Sequence, residues 1–254
     1  MKIYGLLGFP LSHSFSKKYF SDKFKKEGIT GVSYQNFPLE SIDQLPGLLQ
    51  SHPDIKGLNV TIPYKEKIIP FLNELEESAL DIGAVNTIRV AYPDLSSRYL
   101  TGYNTDIYGF TSSLLPLLDP TFKNALILGT GGASKAVYHG LKQLNIEPAF
   151  VTRKHKKQLS APQFTYNELT REIIQHHLLI VNTTPLGMFP RIETCPAIPY
   201  EFLTENHLLY DLVYNPSETL FLKKGFAHNT RIINGSEMLR LQAEKAWEIW
   251  NDAG

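Results

Sequence analysis

The sequence predicts an α/β protein built as two domains. Three observations carry this reading. Strand-like and helix-like segments alternate along the chain, with no internal repeat and no low-complexity tract, the pattern of mainly parallel sheets covered by helices. The 254 residues leave room for one large domain or two of typical size. The pattern also changes partway. The apolar segment Ile107–Leu118 ends at Pro120, and behind it Ala125-Leu126-Ile127-Leu128-Gly129 is a short continuous apolar run, the kind of strand buried on both faces. A domain boundary is expected near Asp106–Lys123.

The elements follow in order. Ile3–Gly8 reads as a first strand; it is too short for a signal h-region, and Pro10 follows at once. Lys17–Glu27 is an amphipathic helix with Tyr19, Phe20 and Phe24 on one face, stopped by Gly28. Val32–Phe37 is a second strand, Ser41–Gln50 a helix and Gly57–Ile62 a third strand. Pro63 is expected to open a helix running towards Leu75, kinked at Pro70. Thr87–Ala91 and Ser97–Gly102 read as a hairpin. After Ala125–Gly129 helix, strand and helix are expected up to Ala149–Thr152, and further strands at Leu178–Asn182, Leu208–Leu212 and Arg231–Asn234. The last segment, Ser236–Trp250, is a strong amphipathic helix with Ser236 as its expected cap.

Composition excludes several classes. Lys plus Arg and Asp plus Glu both number 25, so the formal net charge is zero and the pI is near 7.1. A general nucleic-acid binder carries a basic excess, and docking on anionic membranes needs one too. No apolar run approaches the ~18–20 residues of a membrane helix. The single cysteine, Cys195, cannot form an internal disulfide, which fits a reducing compartment and a cytoplasmic protein. The histidines include the adjacent pair His176-His177 but no HExxH, and there is no CxxC, so no metal site is expected.

Gly129-Thr130-Gly131-Gly132-Ala133-Ser134 sits between the buried strand and a helix, where glycines permit a tight turn and a close backbone approach to phosphate, and the helix start offers free N–H groups. The third glycine of GxGxxG falls at Ser134, so the bare match is imperfect, but strand, turn, helix and second strand fill one unit of ~30 residues as the motif requires. An NAD site places Asp or Glu about 20 residues after the glycines, for the ribose 2′-hydroxyl. This chain has Thr152-Arg153-Lys154-His155-Lys156-Lys157 there, without a carboxylate. That suits a 2′-phosphate, hence NADP; the plainer account is a solvated basic loop.

Four polar clusters stand where strands run out: Ser14 and Ser16; Asn59, Thr61 and Lys65; Asn86; and Asp106. Singly, each has an unremarkable account. The serines serve as helix caps, Asn86 and Asn104 as turn residues, and Lys65 as a surface lysine.

Together the clusters resemble the shikimate dehydrogenase family. The motifs are Ser14-x-Ser16, Asn59-Val60-Thr61-Ile62-Pro63-Tyr64-Lys65, Gly83-Ala84-Val85-Asn86-Thr87 and Gly102-Tyr103-Asn104-Thr105-Asp106, then the glycine turn, Asn182-Thr183-Thr184-Pro185-Leu186-Gly187-Met188 and Asp211-Leu212-Val213-Tyr214-Asn215-Pro216. The final helix, with Gly235, Met238, Leu239, Gln242 and Ala243, is similar too, so the resemblance spans the chain in family order. The chain departs from the family pattern at Ser16-Lys17, at Phe20-Ser21 and at Thr152 before Arg153.

The resemblance implies NADP-dependent interconversion of 3-dehydroshikimate and shikimate. It implies that Ser14, Ser16 and Tyr214 hold the substrate carboxylate, that Thr61, Asn86 and Gln242 bind hydroxyls with Asn59 in the same site, and that Lys65 and Asp106 flank the reacting oxygen as the catalytic pair. It implies a cofactor set of Gly129, Thr130, Gly131, Gly132, Ala133, Thr152, Arg153, Lys154, Lys157, Thr183, Leu212 and Gly235. The expected domains are 1–106 plus 236–254 for substrate and catalysis and 107–235 as a Rossmann-like NADP domain, with the site in the cleft between them. The partner is a small molecule, not nucleic acid or membrane, and the protein is a monomer or homodimer. Two alternatives stand: a quinate/shikimate dehydrogenase using NAD, against which Arg153 argues, and a catalytically silent NADP-binding sensor, against which Lys65 and Asp106 argue.

Overall fold

The computed structural model describes residues 1–11, 15–93, 97–157 and 161–252. Their contacts divide the chain into two compact units, Met1–Thr105 with Ala243–Gly254, and Asp106–Gln242.

The first unit holds a six-stranded mixed sheet of β1 (Lys2–Gly8), β2 (Val32–Pro38), β3 (Ile55–Val60), β4 (Glu74–Leu75), β5 (Thr87–Ala91) and β6 (Tyr99–Tyr103), in the order β2-β1-β3-β5-β6-β4. β1 runs parallel to β2 and β3, whereas β5 is antiparallel to β3 and β6. One face buries Leu7, Ile55, Leu58, Ile88 and Val90 in an aliphatic core. The other is aromatic: Phe20 and Phe24 of α1 (Phe15–Lys26) and Trp247 and Trp250 of the C-terminal helix α8 (Ser236–Asn251) pack on Tyr4 and Tyr34. Tyr4 and Trp250 stack with centroids 5.0 Å apart, Phe20 and Tyr34 at 4.6 Å, each such pair adding roughly 0.5–1.5 kcal/mol beyond its buried area. Gly57 makes room for this, since a side chain there would run into the Trp250 indole, whose Nε1 donates to the Ile88 carbonyl at 3.0 Å.

The second unit is built on β7 (Asn124–Leu128), β8 (Glu147–Thr152), β9 (Gln163–Thr165), β10 (Leu179–Asn182), β11 (Leu208–Asp211) and β12 (Arg231–Asn234). The order is β12-β11-β10-β7-β8-β9 with every pairing parallel. Counted from its own first strand this is 3-2-1-4-5-6, the doubly wound Rossmann order, with its switch point between β7 and β10. β10 and the apolar run of β7 are fully buried, as expected for strands covered on both faces. Helices α4 (Thr105–Leu114), α5 (Gly132–Gln143), α6 (Arg171–His176) and α7 (Leu220–Phe226) complete the unit. The sequence reading ended the second domain at residue 235, but Ser236–Gln242 goes with this unit by contacts, because Met238 is part of its core and Gly109 of α4 lies against the Met238 carbonyl.

Several elements differ from expectation. Residues 63–75 form no α-helix. They are a string of turns, a 3-10 turn at Ile69–Phe71 and the two-residue β4. Pro70 cannot donate to Glu66, and the Lys65 carbonyl that a helix would give to residue 69 instead accepts from Val85 N–H at 2.7 Å. Lys65 therefore sits in a turn and not at a helix start. Ser236 is the first residue of α8 and not its cap; Asn234 Oδ1 accepts its N–H at 3.0 Å. The short α3 (Glu77–Ile82), α6, α7 and β9 were not predicted.

Gly57→Ala should destabilise the protein by about 1–3 kcal/mol, the cost of overpacking a filled core, read from urea unfolding midpoints. An unchanged midpoint would show that the indole does not rest on this glycine.

Candidate functional site

The cofactor residues expected from sequence stand at the carboxyl ends of five parallel strands. Gly129–Ala133 follow β7; Thr152 ends β8, and Arg153, Lys154 and Lys157 follow it; Thr183 follows β10, Leu212 follows β11 and Gly235 follows β12. Carboxyl ends at a switch point are where open α/β sheets bind ligands. Gly129 has φ +102° and its N–H donates to the Val151 carbonyl at 3.0 Å. A Cβ there would lie 2.9 Å from Thr184 Cγ2 and 3.1 Å from Thr183 Oγ1, so the turn needs glycine for both reasons. Thr183 braces it from β10, its N–H and Oγ1 both donating to the Leu128 carbonyl, at 3.0 and 2.7 Å. Over Gly131 and Gly132 there is open space, with no atom within 4 Å of where a Cβ would sit. Gly131 caps α5 without a side chain. Ser134, at the third glycine position, is accommodated by burial, its hydroxyl donating to the Gly131 carbonyl at 2.6 Å.

Arg153, Lys154, His155, Lys156 and Lys157 are exposed. Thr152 Oγ1 turns the chain by donating to the Lys154 carbonyl at 2.8 Å. His155 Nε2 lies 3.1 Å from Glu168, whose carboxylate accepts from Thr165 N–H and Oγ1 at 2.6 and 3.0 Å. The backbone bond from Thr165, then His155, holds the Glu168 carboxyl below the usual range.

A buried carboxylate fixes the ends of β10 and β11. Asp211 is fully buried and accepts from Thr219 Oγ1 at 2.5 Å, Asn182 Nδ2 at 2.9 Å and Val213 N–H at 3.0 Å. Asn182 Oδ1 in turn accepts from Thr184 N–H and Oγ1 at 3.0 and 2.6 Å. Burial outweighs these bonds and pushes the Asp211 carboxyl up to about 6. Leu212 N–H donates to the Asn182 carbonyl at 3.0 Å, and a side chain at Gly235 would collide with the Leu212 carbonyl.

In the first unit, Asn59, Thr61, Lys65 and Asn86 meet at one end of the sheet, where β3 finishes and antiparallel β5 begins. Asn59 is bonded at both ends of its amide: Oδ1 accepts from Tyr34 at 2.7 Å, and Nδ2 donates to Thr87 Oγ1 at 3.2 Å and the Asn86 carbonyl at 3.5 Å. Asn86 Oδ1 accepts from Thr105 N–H at 2.8 Å and from Thr105 and Thr87 hydroxyls at 3.2 Å. Ser16 hydrogen-bonds Tyr34, whose phenol burial pushes up. Lys65 is fixed at its backbone beside the Gly83–Asn86 segment by the bond from Val85. Ser14 lies outside the described residues. In the second unit, Asp106 is buried in the first turn of α4, Gln242 is half-buried on α8 and Tyr214 is exposed. Sequence reasoning missed Tyr34, Thr87 and Thr105, which read as strand and helix-start residues, and it quoted Asn182 and Asp211 without giving them a task.

The comparisons bear on this geometry. Residues 6–88 match the family model described as shikimate dehydrogenase substrate binding domain. Shikimate dehydrogenase (NADP(+)) of Clostridium beijerinckii is 39% identical over 264 aligned residues, covering 99% of this chain and 93% of the relative.

The chain belongs to the shikimate dehydrogenase family.

Solved structures of the family share its fold. A shikimate dehydrogenase crystallised in complex with NADP+ superposes with a TM-score of 0.86 at 31% identity, over 99% of this chain and 90% of that one. The Thermus thermophilus enzyme, in complex with NADP(H) and shikimate, superposes at 0.85 with 29% identity, over 99% and 94%. The protein is thus an oxidoreductase with the family's two-domain α/β fold.

The Asp211 network gives a pH prediction. Its folded value is raised to about 6 from 3.8, so the folded state holds the proton more tightly and this group's contribution to stability falls as pH rises from 3.8 to about 6. Asp211→Asn cannot titrate. The stability of the wild-type protein relative to this variant, from urea unfolding at each pH, should drop by roughly 2 kcal/mol between pH 4 and 7. A difference independent of pH would show that the carboxyl is not raised.

Proposed function

We propose that the protein catalyses the reversible NADPH-linked reduction of 3-dehydroshikimate to shikimate, a small-molecule reaction carried out in the cytoplasm by a monomer or homodimer. The observation that supports it most is a glycine turn at the switch point of a 3-2-1-4-5-6 parallel sheet, paired with a basic loop without a carboxylate at the end of β8.

The donor set suits NADP. Open space over Gly131 and Gly132 and the start of α5 fit a pyrophosphate, and Arg153 offers a planar fork for a 2′-phosphate, with Lys154 and Lys157 adding charge. Bound there, NADPH would supply a hydride from its nicotinamide. As the substrate carbonyl accepts it, negative charge develops on oxygen and a proton must arrive. Lys65 is our candidate for both tasks, donating to that oxygen and delivering the proton. Asp106 is our candidate for holding the Lys65 side chain in place. Thr61, Asn86 and Gln242 offer hydrogen bonds to ring hydroxyls, and Ser14, Ser16 and Tyr214 offer donors to the carboxylate. Asn59, with both amide ends engaged, acts by holding Asn86 and Thr87.

Turnover of shikimate and quinate, each with NADP+ and NAD+, tests the reading: fast turnover is expected with shikimate and NADP+ alone. Preference for quinate with NAD+ would favour the alternative enzyme, and no turnover with any pair the silent sensor. Arg153→Ala should weaken NADP+ by about 1.5–3 kcal/mol, the worth of a hydrogen bond to a charged group, and leave NAD+ nearly unchanged. Lys65→Met should cut kcat by about 10²–10⁴ with a much smaller change in KM. A near-normal kcat in folded Lys65→Met protein would remove the lysine from the mechanism.

A further inference from the structure

Lys156 was not among the expected cofactor residues. Its Nζ donates to Thr130 Oγ1, between the first two glycines of the turn. Its backbone is pinned from both sides: its N–H donates to Gln163 Oε1 at 2.8 Å and its carbonyl accepts from Gln163 Nε2 at 3.0 Å. Gln163 starts β9 and is registered against Phe150 of β8, so a strand-borne side chain holds Lys156 in the loop. Among the described residues no carboxylate pairs with Lys156.

The placement costs electrostatic energy. Thr130 comes just before α5, whose N-terminus carries a positive partial charge, and an ammonium beside it is disfavoured unless an anion shares the site. Which part of the cofactor that anion belongs to follows from the fold. The pyrophosphate approaches the second glycine and the helix start, here the open space over Gly131 and Gly132. The ribose 2′ position is the one served from the end of the second strand, here the loop after β8. A point reached both from that loop and from Thr130 lies on the ribose side.

We infer that Thr130 and Lys156 form a second wall of the 2′-phosphate site, opposite Arg153; this rests on the NADP reading. The chemistry suits a dianion. With Lys156 donating to its oxygen, Thr130 has its own proton left to give, and the ammonium has two more. Three free protons against one remaining lone pair favour a phosphate, and leave NAD, whose 2′-hydroxyl cannot satisfy them all, at a disadvantage. The discrimination between cofactors is then shared between the glycine turn and the basic loop.

The test is equilibrium binding of NADP+, NAD+, adenosine 2′,5′-bisphosphate and 5′-AMP to the wild-type protein, Lys156→Met, Thr130→Val and the double variant. Each single change should weaken NADP+ and the bisphosphate by about ten- to a hundredfold, the worth of a hydrogen bond to a charged group, with NAD+ and 5′-AMP within a factor of two or so. The double variant should lose less than the product of the two, because the residues act as a pair. Equal losses for all four ligands would place the pair at the shared part of the cofactor, and no loss for the bisphosphate would remove it from the site; either overturns the inference. Wild-type protein that fails to bind the bisphosphate at all would overturn the NADP reading itself.

Discussion

The second unit depends on one buried carboxylate. Asp211 ends β11 with no exposure to solvent and receives three donors from three separate segments. Removing such an acceptor would leave those donors unpaired in a dry interior, at a cost of roughly 1–3 kcal/mol each. The bonds also set where the chain goes next. Asn182, held by Asp211, orders the Thr183-Thr184 turn that braces Gly129, and the Val213 bond sets the course of the chain towards Tyr214. The glycine turn is therefore held from strand to strand by side chains as well as by the conformation that Gly129 itself allows.

The first unit solves the same problem with amides. Asn59 and Asn86 link the end of β3 to the start of β5 and to Thr105, with Tyr34 joining Ser16 to the same chain of bonds. Amides suit this task because each supplies an acceptor and two donors without a charge to desolvate. Side chains that hold the frame and side chains left partly exposed therefore come from the same motif. Asn59-x-Thr61 puts an engaged amide and a half-buried threonine two residues apart.

How much of this is visible in the sequence follows from what each segment needs. β7 and β10 are legible because strands buried on both faces must be apolar throughout. The motifs that carry the family resemblance are legible because they keep their residue types at fixed spacing, and the family they point to is the one the chain belongs to. The stretch 63–75 misleads because Pro63 reads as a helix opener, while tertiary pairing takes the Lys65 carbonyl for Val85. No periodicity reports that competition. α3, α6 and α7 are six or seven residues long, too short for a 3.6-residue pattern, although Thr170 and Thr219 cap the latter two in the usual way. Lys156 and its neighbours are indistinguishable as a run of cations; only the Gln163 clasp separates them.

Cofactor preference in such a site depends on keeping carboxylates away as much as on supplying cations. A carboxylate beside the ribose would accept from a 2′-hydroxyl and repel a 2′-phosphate. The fold does bring an acid to the basic loop, Glu168, but commits it to the Thr165 backbone and hydroxyl and to His155. Those bonds hold its charge in place, facing the cap of a 3-10 turn and one imidazole. Arg153 and the lysines remain exposed beside it. A chain with zero net charge thus presents a locally positive loop, because residues 152–157 carry no carboxylate and the acid that reaches them, Glu168, is engaged by Thr165 and His155.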